Sequence, residues 1–214
     1  MQEPTRIIAI RHGETAWNAE GRIQGHQDIA LNATGMEQAR QLGRALGDAT
    51  LDCIYSSDLQ RAMATAKALA RTTGAPIVSE PYLRERCFGE YEGRTFAEVE
   101  REAPEHARLW RVRDPAYAPR GGESLMALQL RISEMVDRIA ARHGGQLIAL
   151  VAHGGVLDML YRLATHQHLQ APRTWQLGNA AINRLLWSRD SGLALIGWGD
   201  VQHLESAARD ELHG

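Results

Sequence analysis

The sequence predicts an α/β protein in which helices cover both faces of a mostly parallel central sheet. Two observations carry this prediction. Apolar segments of strand length alternate along the chain with longer segments of helical period. The strand segments are continuously apolar, which is typical of a parallel sheet that is buried on both faces. With 214 residues, of which 44% are apolar, the chain is long enough for one domain with a sizeable core.

The first half of the chain contains three predicted strands and two predicted helices. They are the strands Ile7–Ile10, Cys53–Tyr55 and Pro76–Val78, and the helices from Asn32 to Gly47 and from Ser57 to Arg71. Thr34 is the expected N-cap of the first helix because Glu37 follows at the spacing of a capping box. Ser57 or Asp58 is expected to cap the second helix, and Gly74 is expected to end it.

The second half of the chain predicts two more helices and three more strands. They are a helix that follows Gly121-Gly122-Glu123-Ser124 and ends near Gly144, the strand Leu147–Val151, the helix Gly154–Leu163, and the strands Ile182–Trp187 and Leu193–Trp198. The last two strands are separated by the turn residues Asp190-Ser191-Gly192 and read as a hairpin.

One insertion and one tail complete the predicted organisation of the single domain, residues 1–214. The charge-rich segment 91–120 contains Trp110 and several arginines, and we expect it to form a small cap over the site. One or two of Arg86, Arg111, Arg113 and Arg120 are candidates to meet a second anionic group of a substrate. Residues 200–214 are assigned as a tail, and for its last part, Ser206–Gly214, we expect either fraying or a contact between the subunits of a homodimer.

Charge and cysteine content exclude several classes of function. The formal net charge is −2, so no basic face is large enough to indicate nucleic acid or an anionic membrane. No apolar run approaches the length of a membrane span or of a signal peptide. Cys53 and Cys87 are too few for a disulfide framework and fit a reducing compartment, so we expect a cytoplasmic protein.

Three strand ends share one chemistry. The first strand runs into Arg11-His12-Gly13, the second into Ser56-Ser57-Asp58 with Arg61 in the following helix, and the third into His153-Gly154-Gly155. In an open α/β sheet, ligands bind beyond the carboxyl ends of the strands, where the N–H groups of helix N-termini favour anions. Arginine makes bidentate bonds to phosphoryl oxygens, and glycine lets the backbone approach closely. The pattern predicts a phosphate site.

Each of these residues also has a plainer interpretation. A histidine at a strand end is often a structural residue, and Arg61 is a candidate for a solvated ion pair with Asp58. We favour the phosphate site because the plainer interpretations would all have to hold at once, at three strand ends that are followed by the same kinds of residue. A metal site is the sharper alternative, since His12 and His153 are both ligand types. The neighbouring arginines would repel a cation, and neither histidine belongs to an HxxxH or HxD motif.

Beyond this chemistry, the order of the motifs resembles the histidine phosphatase superfamily, which contains phosphoglycerate mutases and many phosphatases of small molecules. The resemblance covers most of residues 6–165 and rests on five segments in the family's order: RHGETAWNAEGRIQG, IYSSDLQRAMATAKALA, YLRERCFGEYEG, GGESL and LVAHGGVLDML. A lone RHG would be weak evidence, whereas five ordered motifs are specific. The resemblance implies a fold like that of the phosphoglycerate mutases.

The resemblance also implies a role for individual residues. His12 matches the nucleophile that becomes phosphorylated, and Arg11, Arg61 and a protonated His153 match the rest of the phosphate pocket. Glu85 matches the acid that protonates the leaving oxygen and then activates water. From the residues alone, a surface salt bridge of Glu85 with Arg84 or Arg86 stays an equal alternative. The residues matched to substrate and phosphate binding are Asn18, Gln24, Gly25 and Gly154. With these cationic and imidazole groups, no metal and no other cofactor is expected.

Three functions remain in competition. The segment Cys87–Gly93 is closer to the FGxWEG pattern of the phosphatase branch than to the mutases, whose site is closed by a long insertion. A more open site admits water to a phosphohistidine, which favours hydrolysis. We therefore expect a phosphomonoester hydrolase that acts on small phosphorylated metabolites, with a cofactor-dependent phosphoglycerate mutase as the alternative. A phosphate-binding module without catalysis is disfavoured because His12 and Glu85 are both present.

Overall fold

The fold is built around one sheet of six strands. The structure, a computed structural model, describes residues 3–205. The strands are β1 (Thr5–Arg11), β2 (Cys53–Ser56), β3 (Ile77–Ser79), β4 (Leu147–Ala152), β5 (Ile182–Ser188) and β6 (Gly192–Asp200). Their order across the sheet is β3-β2-β4-β1-β5-β6. The strands from β3 to β1 run parallel, whereas β5 lies antiparallel to both β1 and β6. This arrangement confirms the predicted α/β class with a mostly parallel sheet.

Seven helices connect these strands within the described part of the chain. They are α1 (Ala16–Ala19), α2 (Ala33–Ala45), α3 (Gln60–Thr73), α4 (Phe96–Glu102), α5 (Pro104–Arg111), α6 (Leu125–Ala140) and α7 (Gly154–Thr165). Two short 3₁₀ turns, Pro81–Leu83 and Gly89–Tyr91, lie between β3 and α4. All the predicted strands and helices are present with ends shifted by at most about four residues, and α4 and α5 fall inside the segment predicted as an insertion.

Two apolar cores lie on the two faces of the sheet. Along β4, Ile148 and Leu150 face a core formed with α6 and α7, while Ala149 and Val151 face a second core formed with α2 and α3. Because side chains of a strand point alternately to opposite faces, a strand that is covered on both sides must be apolar at every position. This is why the central strands read as unbroken apolar runs in the sequence.

Two helix caps differ from the sequence expectation. The N-cap of α2 is Asn32, whose side chain accepts a hydrogen bond from the Gly35 amide, so the expectation of a Thr34 cap was wrong. Helix α3 begins after Leu59 and has no side-chain cap. The two expected caps have other partners: Ser57 forms a hydrogen bond with His153, and Asp58 forms an ion pair with Arg84.

The end of the chain is described only in part. Strand β6 extends to Asp200, where its last residue pairs with Ile182, so the first residue assigned to the tail still belongs to the sheet. Residues 206–214, which we expected to fray or to form a subunit contact, lie outside the described residues. Within the described range, none of the helices is long and apolar enough to cross a membrane.

Candidate active site

The candidate site lies where β1, β2 and β4 end side by side. Arg11 pairs with Ala152 and Ser56 pairs with Val151, so the residues that follow these strands emerge at one edge of the sheet. Helix α7 begins directly after β4, with His153 at its N-cap position. The parallel register therefore brings the three predicted strand ends together.

His12 is buried, with 2% of its surface exposed. Its Nδ1 lies 2.7 Å from the Gly13 carbonyl oxygen, and because a carbonyl can only accept, Nδ1 carries the proton. Burial, followed by the charges of Arg11 and Arg61, lowers the pKa of His12 well below its usual value of 6.5. The ring is therefore neutral, and its Nε2 presents a lone pair. In the described part of the chain, Nε2 makes no hydrogen bond.

His153 is fully buried and lies beside His12, with ring centroids 5.1 Å apart. Nε of Arg61 donates to Nδ1 of His153 at 3.2 Å, so Nδ1 carries no proton. Burial, then the charge of Arg61, lowers the pKa of His153 well below 6.5. The ring is the neutral tautomer with its proton on Nε2, which donates to Oγ of Ser57 at 2.8 Å. This differs from the expected protonated His153, because burial disfavours the charged ring and the charge of Arg61 adds to that effect.

Arg61 is buried completely and held by the backbone of a neighbouring loop. Its terminal nitrogens donate to the carbonyl oxygens of Gln27 at 2.7 Å and Gly25 at 2.8 Å. The alternative ion pair with Asp58 does not form, since Asp58 instead pairs with Arg84. Burial is the main cause that lowers the pKa of Arg61 from its usual value.

Arg11 supplies a second guanidinium from the end of β1. Its Nη1 donates to the Leu177 carbonyl oxygen at 2.5 Å, while its buried Nε has no hydrogen-bond partner among the described residues. Burial lowers the pKa of Arg11, and the nearby carboxylate of Glu85 opposes that shift. An unsatisfied buried N–H beside the histidine pair is a donor available to an anion.

Glu85 points its carboxylate at the first turn of α7. Oε1 accepts hydrogen bonds from the backbone amides of Gly155 at 2.9 Å and Arg86 at 2.8 Å. The alternative salt bridge is absent: Arg84 pairs with Asp58, and the Arg86 side chain donates to backbone carbonyl oxygens. A Cβ added at Gly155 would lie 2.4 Å from Oε1 of Glu85, so the carboxylate occupies the space that the glycine leaves free.

The four residues matched to substrate or phosphate binding lie around this centre. Gly154 lines the cleft at the start of α7. Gln24 is buried and its Oε1 accepts a hydrogen bond from the Thr15 hydroxyl, while its amide N–H groups have no partner among residues 3–205. The Oδ1 of Asn18 accepts hydrogen bonds from Thr15 and from Asn179. Gly25 contributes through its carbonyl, which holds Arg61.

Two contributors were missed by the sequence analysis in these roles. Ser57 was expected to cap a helix and instead binds His153. Asn179 lies 167 residues after His12, yet its Nδ2 donates to the His12 carbonyl oxygen at 2.8 Å. The dipeptide Gly178-Asn179 before β5 was the available signal, since such pairs mark turns, but a turn signal does not reveal the partner.

A cleft of about 430 Å³ opens beside Arg11 and the start of α7. Part of its wall comes from the segment 91–120: the Trp110 ring stacks on Phe88 with centroids 5.0 Å apart, and Arg86 lies over both rings. The guanidinium of Arg113 also reaches this wall, whereas Arg111 pairs with Glu100 on the exposed side of the cap helices. The cleft therefore combines guanidinium groups with a flat aromatic surface.

The described residues offer no set of ligands for the alternative metal site. Across residues 3–205, no group of three or more histidine, cysteine or acidic side chains is placed to hold a metal ion. After burial, the charges of Arg11 and Arg61 contribute to lowering the pKa values of both His12 and His153, and the same charges would repel a metal ion.

The sheet order and the residues at its edge define an α/β protein with a histidine–arginine cluster at the carboxyl ends of its parallel strands. Residues 7–200 match the family model described as "Histidine phosphatase superfamily (branch 1)", and the chain belongs to that family. The resemblance stated from the sequence motifs is thereby confirmed.

Three relatives illustrate the similarity. The chain is 38% identical to a metal-independent phosphoserine phosphatase from Arabidopsis thaliana, over 95% of this chain and 85% of the relative. It is 35% identical to a probable phosphoglycerate mutase from Salmonella choleraesuis, over 97% and 98%. The solved structure of a mycobacterial glucosyl-3-phosphoglycerate phosphatase in complex with VO3 superposes with a TM-score of 0.82 at 33% identity, over 91% and 99%. Phosphatases and a mutase thus both occur among its relatives.

Proposed function

We propose that this protein hydrolyses phosphomonoesters of small metabolites through a phosphohistidine intermediate on His12. The observation that carries the proposal is the neutral His12 ring, whose Nδ1–H is held by the Gly13 carbonyl and whose Nε2 lone pair is free. A neutral imidazole nitrogen is a nucleophile, and covalent catalysis divides one difficult hydrolysis into two easier steps. In the first step, a bond forms between Nε2 and phosphorus while the bond to the leaving oxygen breaks.

Arg11, Arg61 and His153 stabilise the phosphoryl group during this transfer. Charge spreads over three equatorial oxygens in the transition state, and fixed donors aimed at those oxygens lower its energy. Arg11 offers the unsatisfied Nε–H, and Arg61 offers a guanidinium whose orientation is set by Gly25 and Gln27. His153 contributes a neutral N–H donor, which the bound phosphoryl group takes over from Ser57.

Glu85 gives a proton to the leaving oxygen and then removes one from the water that attacks the phosphohistidine. The backbone amides of Gly155 and Arg86 fix its carboxylate beside the N-terminus of α7. The same residue can serve both steps because the acid of the first step is left as the base of the second. We assign substrate contacts to the free amide groups of Asn18 and Gln24, to Gly154 at the start of α7, and to the loop at Gly25.

Catalysis in this proposal requires no metal and no other cofactor. The cationic and imidazole groups of the cluster supply the positive charge and the donors that a metal would otherwise provide. A relative that is 38% identical carries the name metal-independent phosphoserine phosphatase, which supports the same property here.

A phosphoglycerate mutase is the second candidate, favoured by a relative that is 35% identical and is named a probable phosphoglycerate mutase. The two functions differ in the fate of the phosphohistidine. A mutase returns the group to a second hydroxyl, whereas a phosphatase releases it to water. Inorganic phosphate formed from 3-phosphoglycerate in excess over any 2-phosphoglycerate supports the phosphatase, and the reverse ratio supports the mutase. A binding module without catalysis would form neither product.

Four further properties belong to this proposal. The segment 91–120 acts as a cap within a single domain, since Trp110 contributes to the cleft wall. The cytoplasm suits the two cysteines, Cys53 and Cys87, which are both free thiols. The formal charge of −2 argues against nucleic acid as a partner. The fourth property is assembly as a homodimer, which light scattering of the purified protein tests.

The central experiment traps the intermediate. The protein is mixed briefly with a radiolabelled aryl phosphate and quenched, and the label should be stable to base and labile to acid, as a phosphohistidine is. His12→Ala should lose the label and the turnover, whereas His168→Ala, which changes an exposed histidine, should keep both. Label on a serine, or label that persists in His12→Ala, overturns the mechanism.

A further inference from the structure

The proposed acid, Glu85, lies in a segment that is neither helix nor strand. Residues 84–88 connect the two 3₁₀ turns Pro81–Leu83 and Gly89–Tyr91. Such a segment lacks the repeating backbone hydrogen bonds that fix a side chain on a helix or a strand. A catalytic group must be held within about 0.5 Å of its productive geometry, so the position of Glu85 has to come from other contacts.

The side chain of Arg131, on α6, contacts the backbone of this segment. Its Nη1 donates to the carbonyl oxygens of Tyr82 at 2.6 Å and Arg84 at 3.0 Å. Its Nη2 lies 3.5 Å from the carbonyl oxygen of Glu85, a longer and weaker contact. One guanidinium thus reaches three carbonyl groups within four consecutive residues, and the last of these residues is the acid.

Arg131 is itself held in one orientation. Its Nε and Nη2 donate to the two carboxylate oxygens of Glu123 at 2.9 Å and 2.8 Å. A bidentate pair of this kind fixes the plane of the guanidinium as well as its charge. Only 18% and 17% of the two side chains are exposed, and α6 packs into the core, so the guanidinium is carried by a rigid element.

Two further kinds of contact act on Glu85 itself. The amides of Gly155 and Arg86 hold its carboxylate, and Nε2 of His26 donates to its backbone carbonyl oxygen at 2.9 Å. His26 therefore holds one carbonyl group, that of the acid. Arg131 also holds the residues that precede the acid, so it determines the course of the chain that leads into Glu85.

We propose that Arg131 is a positioning residue, whose guanidinium holds the chain before Glu85 so that the carboxylate stays at the first turn of α7. The inference rests on the proposed function and extends it to a residue outside the wall of the 430 Å³ cleft. Without Arg131, the carboxylate leaves the Gly155 amide for part of the time, and delivery of a proton to the leaving oxygen slows. A displacement of about 1 Å can lower a rate by roughly 10²-fold.

The first test follows the position of the carboxylate without any substrate. The Gly155 amide belongs to the first turn of α7, where N–H groups have no partner within the helix, so its protection from hydrogen exchange reports the bond to Glu85. In Arg131→Gln, NMR should show this amide exchanging roughly tenfold faster. The matched control is Arg138→Gln, which removes another ion pair of α6, with Glu80, and should leave the exchange unchanged. Unchanged exchange in Arg131→Gln overturns the proposal.

The second test measures the consequence for proton delivery. Single-turnover rates are compared for nitrophenyl phosphate and glycerol 3-phosphate, because only the alkoxide of glycerol needs a proton as it leaves. The ratio of the two rates should rise roughly tenfold in Arg131→Gln and stay constant in Arg138→Gln. In a Glu85→Gln background, Arg131→Gln should not change the ratio further, because the acid is already absent. A residue needed only for folding would slow both substrates equally, and that result overturns the proposal.

The two tests separate this inference from the proposed function. If the protein hydrolyses neither substrate, the proposed function fails, and the exchange of the Gly155 amide alone decides whether Arg131 positions the carboxylate. If Glu85→Gln changes the ratio of rates and Arg131→Gln does not, the proposed acid stands and the inference fails.

A second variant guards against loss of the fold. Arg131→Lys keeps a positive charge opposite Glu123 but has no planar guanidinium to reach several carbonyl groups. It should show the same faster exchange of the Gly155 amide and the same rise in the ratio of rates. Circular dichroism checks the fold of both variants. If neither variant folds, Arg131 is a structural residue and the proposal is overturned.

Discussion

Oγ of Ser57 lies 2.8 Å from Nε2 of His153 and accepts the ring proton, which the N–H of Arg61 excludes from Nδ1. The other nitrogen accepts from Arg61, so the ring is a neutral donor directed away from the arginine. Because Ser57 directly follows β2 and His153 directly follows β4, the contact also joins the ends of these two strands. Removing the serine hydroxyl therefore tests whether a bound phosphate can replace it as the acceptor of the His153 proton.

Ser57→Ala should destabilise the free protein by about 1–3 kcal/mol, the cost of a buried N–H left without an acceptor. Saturating inorganic phosphate should reduce this difference, because in our proposal a phosphate oxygen replaces the hydroxyl as acceptor. Urea unfolding with and without phosphate measures both values, with the exposed-turn variant Ser191→Ala as control. An equal loss in both conditions would show that the Ser57–His153 bond survives phosphate binding.

The stability of the protein should fall as the pH drops below about 6.5. His12 and His153 are buried with lowered pKa values, so the unfolded chain binds protons near 6.5 while the folded protein does not. Below about pH 6.5, each histidine lowers the free energy of unfolding by up to about 1.4 kcal/mol per pH unit. Above neutral pH, neither histidine makes the stability depend on pH. His12→Asn should reduce the slope measured by denaturant unfolding, and His168→Asn should not. An unchanged slope in His12→Asn would mean that the histidine is already charged when folded.

Replacement of Arg61 by lysine should cost a factor of roughly 10² or more in kcat/KM. Lysine keeps the charge, but one ammonium cannot reach the Gly25 carbonyl, the Gln27 carbonyl and the His153 ring together. The matched control is Arg71→Lys, an exposed residue of the same helix. If Arg61→Lys keeps its activity, charge alone is sufficient and the fixed geometry has no catalytic consequence.

Glu85→Gln should slow the cleavage of alkyl phosphates much more than that of nitrophenyl phosphate. An alkoxide needs a proton as it leaves, whereas a nitrophenolate does not, and general acid catalysis contributes roughly 10²–10⁴-fold. The comparison must use the burst phase, because in the proposed mechanism Glu85 also activates water in the second step. Glu90→Gln, exposed nearby, serves as control. Equal losses for both substrates would reassign Glu85 as a positioning residue.

Activity should survive dialysis against a chelator. The cluster of Arg11, Arg61, His12 and His153 supplies the charge and the donors that phosphoryl transfer needs, so no divalent ion enters the proposed mechanism. The measurement is the rate of nitrophenyl phosphate hydrolysis before and after treatment with EDTA. A substantial loss that Mg²⁺ or Zn²⁺ restores would contradict it.

The sequence allowed the prediction of most elements because its signals are local. Unbroken apolar runs located β1 and β4, and Ser124 and Gly74 marked a helix start and a helix end that the structure confirms. The cap of α3 was mispredicted because Ser57 and Asp58 have distant partners. An apolar strand does not encode its neighbour, so the position of β5 beside β1 could not be read from the chain.

The candidate site also has a part that the sequence predicts and a part that it does not. Arg11, His12 and His153 follow strands that are recognisable, and the rule for α/β sheets brings them together. The contacts that decide their chemistry come from residues far apart in sequence. The side chain of Asn179 donates to the His12 carbonyl and the backbone amide of Gly155 donates to Glu85, and the residue pattern identifies neither pair of partners. The charge state of His153 depends on complete burial, and burial was known only once the fold was known.

The way in which Arg61 is anchored has an energetic consequence for the first step of catalysis. A free arginine side chain must lose about 2 kcal/mol of rotamer entropy before it can grip a ligand. Here the loop carbonyls of Gly25 and Gln27 and the ring of His153 restrict the guanidinium before any ligand arrives. Folding has therefore already met the cost of ordering it. The incoming phosphoryl group meets dipoles that do not have to reorganise, and its binding energy remains available for the reaction.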